Sequence, residues 1–278
     1  LVPGSLALIL ADHLPWSSVF WITAAFMLIG IVTTLFVKEV SDDELAPHTL
    51  REAVIDPFVE FFSRDGIKAG LAILAFLFLY KLGDNMATAL ATPFYLDMGY
   101  SKTEIGSVAK FAGLWAAIAG TAIGGAVMLK LSINKALWIF GLVQLLTIIP
   151  FIWLSQAGHS LVGLFVVVSG EYLAVGLGTV ALTAFMARET SKAFTATQFA
   201  LFSSLIAVPR TFANATTGFI VENVGWTQFF VICAALAIPG MLMLLIVAPW
   251  SVADETPDEE AREEALEDGV AVEEEARS

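Results

Sequence analysis

The sequence predicts an all-α polytopic membrane protein, and three observations carry that reading. Of 278 residues, 58% are hydrophobic and 15% charged, whereas a soluble domain carries about 25% charged residues. Apolar runs of roughly 20 residues, the length that crosses a bilayer core, recur along the chain. Basic residues crowd into every second connection between those runs, as they do on the cytoplasmic side of membrane proteins. The net charge of −13 is not a property of this apolar body, because residues 254–278 hold twelve acids against Arg262 and Arg277.

Residues 1–10 read as the end of a span that begins upstream. The chain starts without a Met, a basic n-region or a cleavage site, so this is no signal peptide, and the chain is taken as a piece of a longer protein. Full spans are expected near 16–36, 69–94, 104–128, 134–155 and 161–186. The stretch 196–248 is too long for one crossing. It divides at Glu222-Asn223-Val224-Gly225 into spans near 198–220 and 226–248, which makes seven complete spans and a stub.

The loops then set the orientation. Loop 37–68 carries Lys38, Arg51, Arg64 and Lys68; the loops near 129–135 and 187–195 carry Lys130, Lys135, Arg188 and Lys192; the tail adds Arg262 and Arg277. The three intervening loops hold Lys102 alone. Ten against one puts loop 37–68 and the C-terminal tail in the cytoplasm. Within that loop, 48–63 spaces Leu50, Val54, Phe58, Phe61 and Phe62 at helical intervals, as an amphipathic helix on the membrane face would, with Pro57 interrupting it. The tail is dense in charge and poor in large apolar side chains, a composition that favours disorder.

Several function classes find no support. Cys233 is the single cysteine and sits in an apolar run, so it pairs with nothing in this chain and reads as packing. His13, His48 and His159 are scattered without ligand spacing, which indicates no metal site. There is no phosphate loop, no basic stripe for nucleic acid and no catalytic constellation at one depth, so the chain is not read as an enzyme. Asn214-Ala215-Thr216 matches the glycosylation pattern but falls inside a span.

Function is instead expected from ionisable groups at depth, each costing at least about 2.5–3.5 kcal/mol at the centre of an isolated span. Lys81, Asp84, Asn85, Thr88 and Thr92 share one helical face, and such a stripe lines something. Lys110, Gln144, Glu171, Gln198, Arg210 and Asn214 lie in the other spans. Together they suggest a polar cavity in which Asp84 or Glu171 carries a proton and Lys110 and Arg210 grip an anionic solute, Arg through its planar fork. A second reading stays open for each: charged pairs lock helices together, amides such as Gln144 and Gln198 bond helix to helix, and Lys81 snorkels. Gly120 and Gly124, like Gly170, Gly176 and Gly178, suit close helix packing, and Pro209 is expected to kink its span beside Arg210.

A long cytoplasmic loop followed by six spans and a cytoplasmic tail is the plan of the second half of a major-facilitator protein, whose sites lie near the midplane between two six-helix halves. The stretches LYKLGDNMATALATPFYLDMGYSKTEIGSVAK, GGAVMLKLSINKALWIFGLVQ and FTATQFALFSSLIAVPRTFANATTGFIVENVGWTQFF resemble the AmpG-type muropeptide permeases of the major facilitator superfamily. The resemblance runs from about residue 3 to 248 and implies a C-terminal six-helix half, with helix 6 and the end of helix 5 before it. Residues 1–36 are then the end of the N-terminal half, 37–68 the inter-half loop, 69–248 the six-helix bundle and 249–278 the tail. Also implied is import of GlcNAc-anhydromuramyl peptides across the bacterial inner membrane by proton symport, for peptidoglycan recycling. The proton gradient would drive it without a cofactor. The partners would be the bilayer, the sugar-peptide and the missing N-terminal half. The alternatives are a carrier for another bulky anionic solute and a non-transporting sensor or scaffold.

Overall fold

A computed structural model describes residues 14–36, 49, 51 and 54–251, without the side chains of Lys102, Thr103, Ala109, Lys110, Lys192, Ala213 and Asn214. The expectations for the stub at 1–10, for most of the loop before residue 54 and for the acidic tail lie outside these residues. The chain divides into two units, 1–48 and 49–278. In the first, α1 (Trp16–Phe36) has 21 residues and no charged side chain, and at 1.5 Å per residue it reaches about 31 Å, enough for a bilayer core.

The second unit is built of helices throughout its described residues. They are α2 (Asp56–Arg64), α3 (Ile67–Tyr80), α4 (Leu82–Ala89), α5 (Ala91–Asp97), α6 (Lys102–Ser107), α7 (Gly113–Met128), α8 (Ile133–Ala157), α9 (Leu161–Arg188) and α10 (Thr195–Val247). A π turn, Val108–Ala112, joins α6 to α7. The helix α10 breaks at Gly225, whose φ of 75° and ψ of 169° are open only to glycine. Its arms, 195–224 and 225–247, correspond to the two spans expected from Glu222-Asn223-Val224-Gly225. Each of the other expected spans also falls on helix.

One local expectation holds and one is corrected. Pro57 interrupts the segment 48–63 as expected: Arg51 and Val54 are helical, Ile55 is a turn, and α2 begins afresh at Asp56, with the proline in its first turn, where its missing N–H leaves no bond unmade. Pro209 lies inside the first arm of α10, a helix in which Gly225 alone has non-helical dihedrals. The span expected at 69–94 is not one helix but α3, α4 and α5 end to end, broken at Lys81 (φ −98°, ψ −3°) and Leu90 (φ −109°, ψ 20°). Pro93 accounts for the second break, since it cannot donate to the carbonyl of Ala89 and its ring crowds that oxygen.

The helix α2 meets the bundle at a bend of 104°, made at Gly66 with φ 84°. Its apolar face is shared. Phe61 is buried, 5.3 Å ring to ring from Phe202, while Phe58 and Val59 stay exposed.

Apolar attraction drives little helix association in a membrane, so shape complementarity carries more of it. Gly120 lies against the backbone of Leu173, and Gly176 against that of Ala117, where α7 crosses α9. Gly83 meets the carbonyl of Cys233, and Gly240 that of Leu79, where the second arm of α10 crosses α3 and α4. A methyl group at any of the four would force the backbones apart.

The interior is not one core but two. The first gathers Phe76, Leu77, Leu137, Phe140, Phe185, Phe202 and Leu244 at the end of the bundle that carries Arg64 and Arg188, hereafter the basic end. The second gathers Phe94, Tyr95, Phe151, Leu164, Phe229 and Phe230 at the opposite end. Neither takes a buried residue from 81–85, 141–147, 169–176 or 238–243. These stretches form a seam at mid-height, and the buried Lys81, Asp84, Gln144 and Glu171 all lie in it.

Candidate functional site

A cavity of about 570 Å³ opens beside the seam. From α4 and α5 it is lined by Asp84, Asn85, Thr88, Ala91, Thr92 and Tyr95, with Lys81 at the α3–α4 break. The helix α9 adds Val168, Glu171, Tyr172, Val175 and Thr179, and the first arm of α10 adds Ser203, Ile206, Ala207 and Arg210. Each set recurs at intervals of three and four, which is one face of a helix.

All five members of the expected stripe, Lys81, Asp84, Asn85, Thr88 and Thr92, are on the wall, together with Glu171 and Arg210. The stripe survives the breaks in its span because α4 holds its middle. Lys81 is 7% exposed and does not snorkel. Its Nζ donates to Asp84 Oδ2 at 3.2 Å and to Gln144 Oε1 at 2.8 Å. Thr88 Oγ1 donates to the carbonyl of Asp84 at 3.0 Å, which turns that hydroxyl to its own helix. Glu171 is 7% exposed, and Arg210 is exposed at the cavity wall.

Other candidates fall elsewhere. Gln144 on α8 lines no part of this cavity; it stands behind Lys81. Gln198 is remote from the cavity, at the basic end in the first turn of α10. At 100° per residue, twelve residues from Arg210 leave it about 120° off the cavity face. There it is 1% exposed, donates to the carbonyl of Pro57 at 2.9 Å and to Glu60 Oε2 at 2.6 Å, and accepts from the N–H of Ser191 at 2.7 Å. Arg64 completes this clasp, with two hydrogen bonds to Glu60 and one to the carbonyl of Glu189. The Arg64 guanidinium holds the Glu60 carboxyl below its usual range. The side chains of Lys110 and Asn214 lie outside the described residues; the backbone of Lys110 is in the π turn, a helix defect frequent at functional sites.

Sequence reading missed Tyr95, Tyr172, Thr179 and Ser203. A signal existed for Tyr95, which continues the stripe three residues beyond Thr92. It is 3% exposed, and its hydroxyl, like Gln144 Nε2, has no hydrogen-bond partner among the described residues. Among those residues, no group of three His, Cys, Asp or Glu side chains is placed to hold a metal.

Chemically the wall offers two carboxylates, an ammonium already shared by two acceptors, a free-standing guanidinium face and a run of hydroxyls. Such a set has the chemistry to hold a polar, anionic solute and to exchange a proton with it or with water.

The chain is 49% identical over 258 residues to an uncharacterized protein of Haemophilus influenzae, covering 90% of this chain and 61% of that protein. It is 39% identical over 248 residues to the anhydromuropeptide permease of Escherichia coli K12, covering 88% of this chain and 50% of the permease. A putative transporter AmpG 4 of Rickettsia conorii is 34% identical over 255 residues, 88% of this chain and 60% of the relative. The chain thus spans between half and about three fifths of the length of these relatives. The Major Facilitator Superfamily matches it over residues 2–214. A polytopic helical bundle with a polar cavity at mid-height agrees with that match, and this chain belongs to the Major Facilitator Superfamily.

Proposed function

We propose that this chain supplies the C-terminal half of a proton-coupled importer of anhydromuropeptides, which returns GlcNAc-anhydromuramyl peptides to the cytoplasm for peptidoglycan recycling. One observation carries the reading. The acids and cations that line a 570 Å³ cavity stand in a chain 39% identical to an anhydromuropeptide permease. A sugar-peptide needs hydroxyl partners for its sugars and cations for its peptide carboxylates, and both kinds of group are on the wall. Asp84 and Glu171 are the proton carriers in this proposal, and Arg210 and Lys110 the anion ligands. In this reading the protein lies in a bacterial inner membrane with its basic end and its C-terminal tail on the cytoplasmic side, as the excess of Lys and Arg supports.

The test is uptake of labelled anhydromuropeptide by the full-length protein in energised membrane vesicles, with and without a protonophore. Accumulation that collapses with the gradient is expected. Uptake indifferent to the gradient would reject proton symport. Uptake of other bulky anions in place of the muropeptide would transfer the reading to a different solute, and no uptake of either would favour a sensor or scaffold.

A further inference from the structure

We infer that Gln144 is a positioning residue for Lys81, seated by Gly178, and that it decides whether the Lys81 ammonium stays in the seam when Asp84 takes a proton. The inference rests on the proton-coupled reading above. It begins from an oddity of placement: α8 contributes nothing to the cavity wall, yet it makes the shorter of the two hydrogen bonds to a cavity cation, 2.8 Å against 3.2 Å.

The Gln144 side chain is wedged. It is 4% exposed, with Lys81 Nζ on its carbonyl oxygen and the bare Cα of Gly178 beside its amide. A Cβ built on Gly178 would overlap that amide, and the three atoms nearest to it all belong to Gln144. Nothing else among the described residues holds the amide end, since Nε2 lacks a partner. The seat is therefore shaped for the carbonyl to face Lys81, and glycine at 178 makes the room.

An ammonium so deeply buried needs an acceptor in every state. With Asp84 ionised, Lys81 has two. Once Asp84 binds a proton from the gradient it ceases to be a counter-ion, and the Gln144 carbonyl remains. Lys81 then stays back from the cavity, and the carboxyl is free to change partners while the cavity turns over. Without Gln144, the ammonium is released into the cavity, next to Glu171 and the solute. Exchange of solute survives, but its tie to the proton is lost.

The test compares two activities of the full-length protein in vesicles: gradient-driven accumulation, and counterflow of labelled for unlabelled anhydromuropeptide with no gradient. Loss of a hydrogen bond to a charged group corresponds to about tenfold or more. Gln144→Met, equal in length but without the carbonyl, is expected to lower accumulation about tenfold while counterflow stays within about twofold. Gln144→Glu, which keeps an oxygen at the same reach, retains accumulation. Gly178→Ala behaves like Gln144→Met, and adds nothing further in a Gln144→Ala background. Should Gly178→Ala fail to fold, Gln144→Met and Gln144→Glu decide alone. Normal accumulation by Gln144→Met, or equal loss of both activities, overturns the inference. A protonophore and Asp84→Asn separate the two proposals: if wild-type accumulation is indifferent to the protonophore the proton-coupled reading has failed, whereas if Asp84→Asn is uncoupled and Gln144→Met is not, only the role of Gln144 has.

Discussion

The seam and the clasp are made of the same three kinds of side chain and behave as opposites. Lys81, Asp84 and Gln144 meet at mid-height; Arg64, Glu60 and Gln198 meet at the basic end. In the clasp, Arg64 grips Glu60 by two hydrogen bonds of 2.8 and 2.9 Å, and Gln198 uses both ends of its amide. In the seam, Lys81 reaches Asp84 by a single contact of 3.2 Å, and Gln144 uses only its oxygen. Yet the seam pair is the more buried, with side chains 9% and 12% exposed against 32% and 30% in the clasp. Bonds are thus fewest where a missing bond costs most. The clasp is a fastening that water would half satisfy anyway. The seam is kept short of partners inside a cavity wall, as a site that must trade partners would be.

That contrast can be broken by substitution. Asp84→Ala leaves Lys81 buried without a counter-charge and is expected to cost about 3–5 kcal/mol of stability, read as a drop in melting temperature of the purified protein. A melting temperature near wild type would mean that water reaches the seam and that the two regions are alike. Next in size, Gln198→Ala strands the N–H of Ser191 and the carbonyl of Pro57 and is expected to cost about 1–3 kcal/mol. Its mark is faster proteolysis around α2, with transport retained; loss of transport instead would make the clasp part of the mechanism.

Smallest is Glu60→Gln, at under about 1 kcal/mol, because the pair is partly exposed and screened. The pH dependence of the clasp follows in sign. The folded pKa of Glu60 is depressed, first by the hydrogen bond from Arg64, so its contribution is complete above the ordinary carboxylate value. It is lost as pH falls through the lowered one. Thermal melts of wild type and Glu60→Gln should therefore converge in acid, and parallel curves at every pH would remove Glu60 from the clasp.

Sequence reading reached the spans because apolar length is a coarse signal that no tertiary detail erases. It reached the division at Gly225 because the stretch is too long for one crossing and Glu222-Asn223 beside that glycine mark its polar middle. It found the charged part of the cavity wall for a related reason: charge is so costly in a span that Asp84, Glu171 and Arg210 needed a polar surface to face. Amides pay a smaller penalty, which one bond to a neighbouring helix can meet, and Gln144 and Gln198 show the consequence. Both look alike in an apolar run; one stands behind the cavity and the other fastens a loop helix. The break at Leu90 was legible from Pro93. The break at Lys81 and the π turn around Lys110 arise in the packed bundle and leave no residue signature.

The central claim, that the seam works and the clasp fastens, is tested most directly by one paired measurement. Gradient-driven accumulation and gradient-free counterflow of anhydromuropeptide are compared for Asp84→Asn and Glu60→Gln in the full-length protein. The account predicts that Asp84→Asn loses accumulation and keeps counterflow, while Glu60→Gln keeps both. Normal accumulation by Asp84→Asn, or its loss in Glu60→Gln alone, would contradict it.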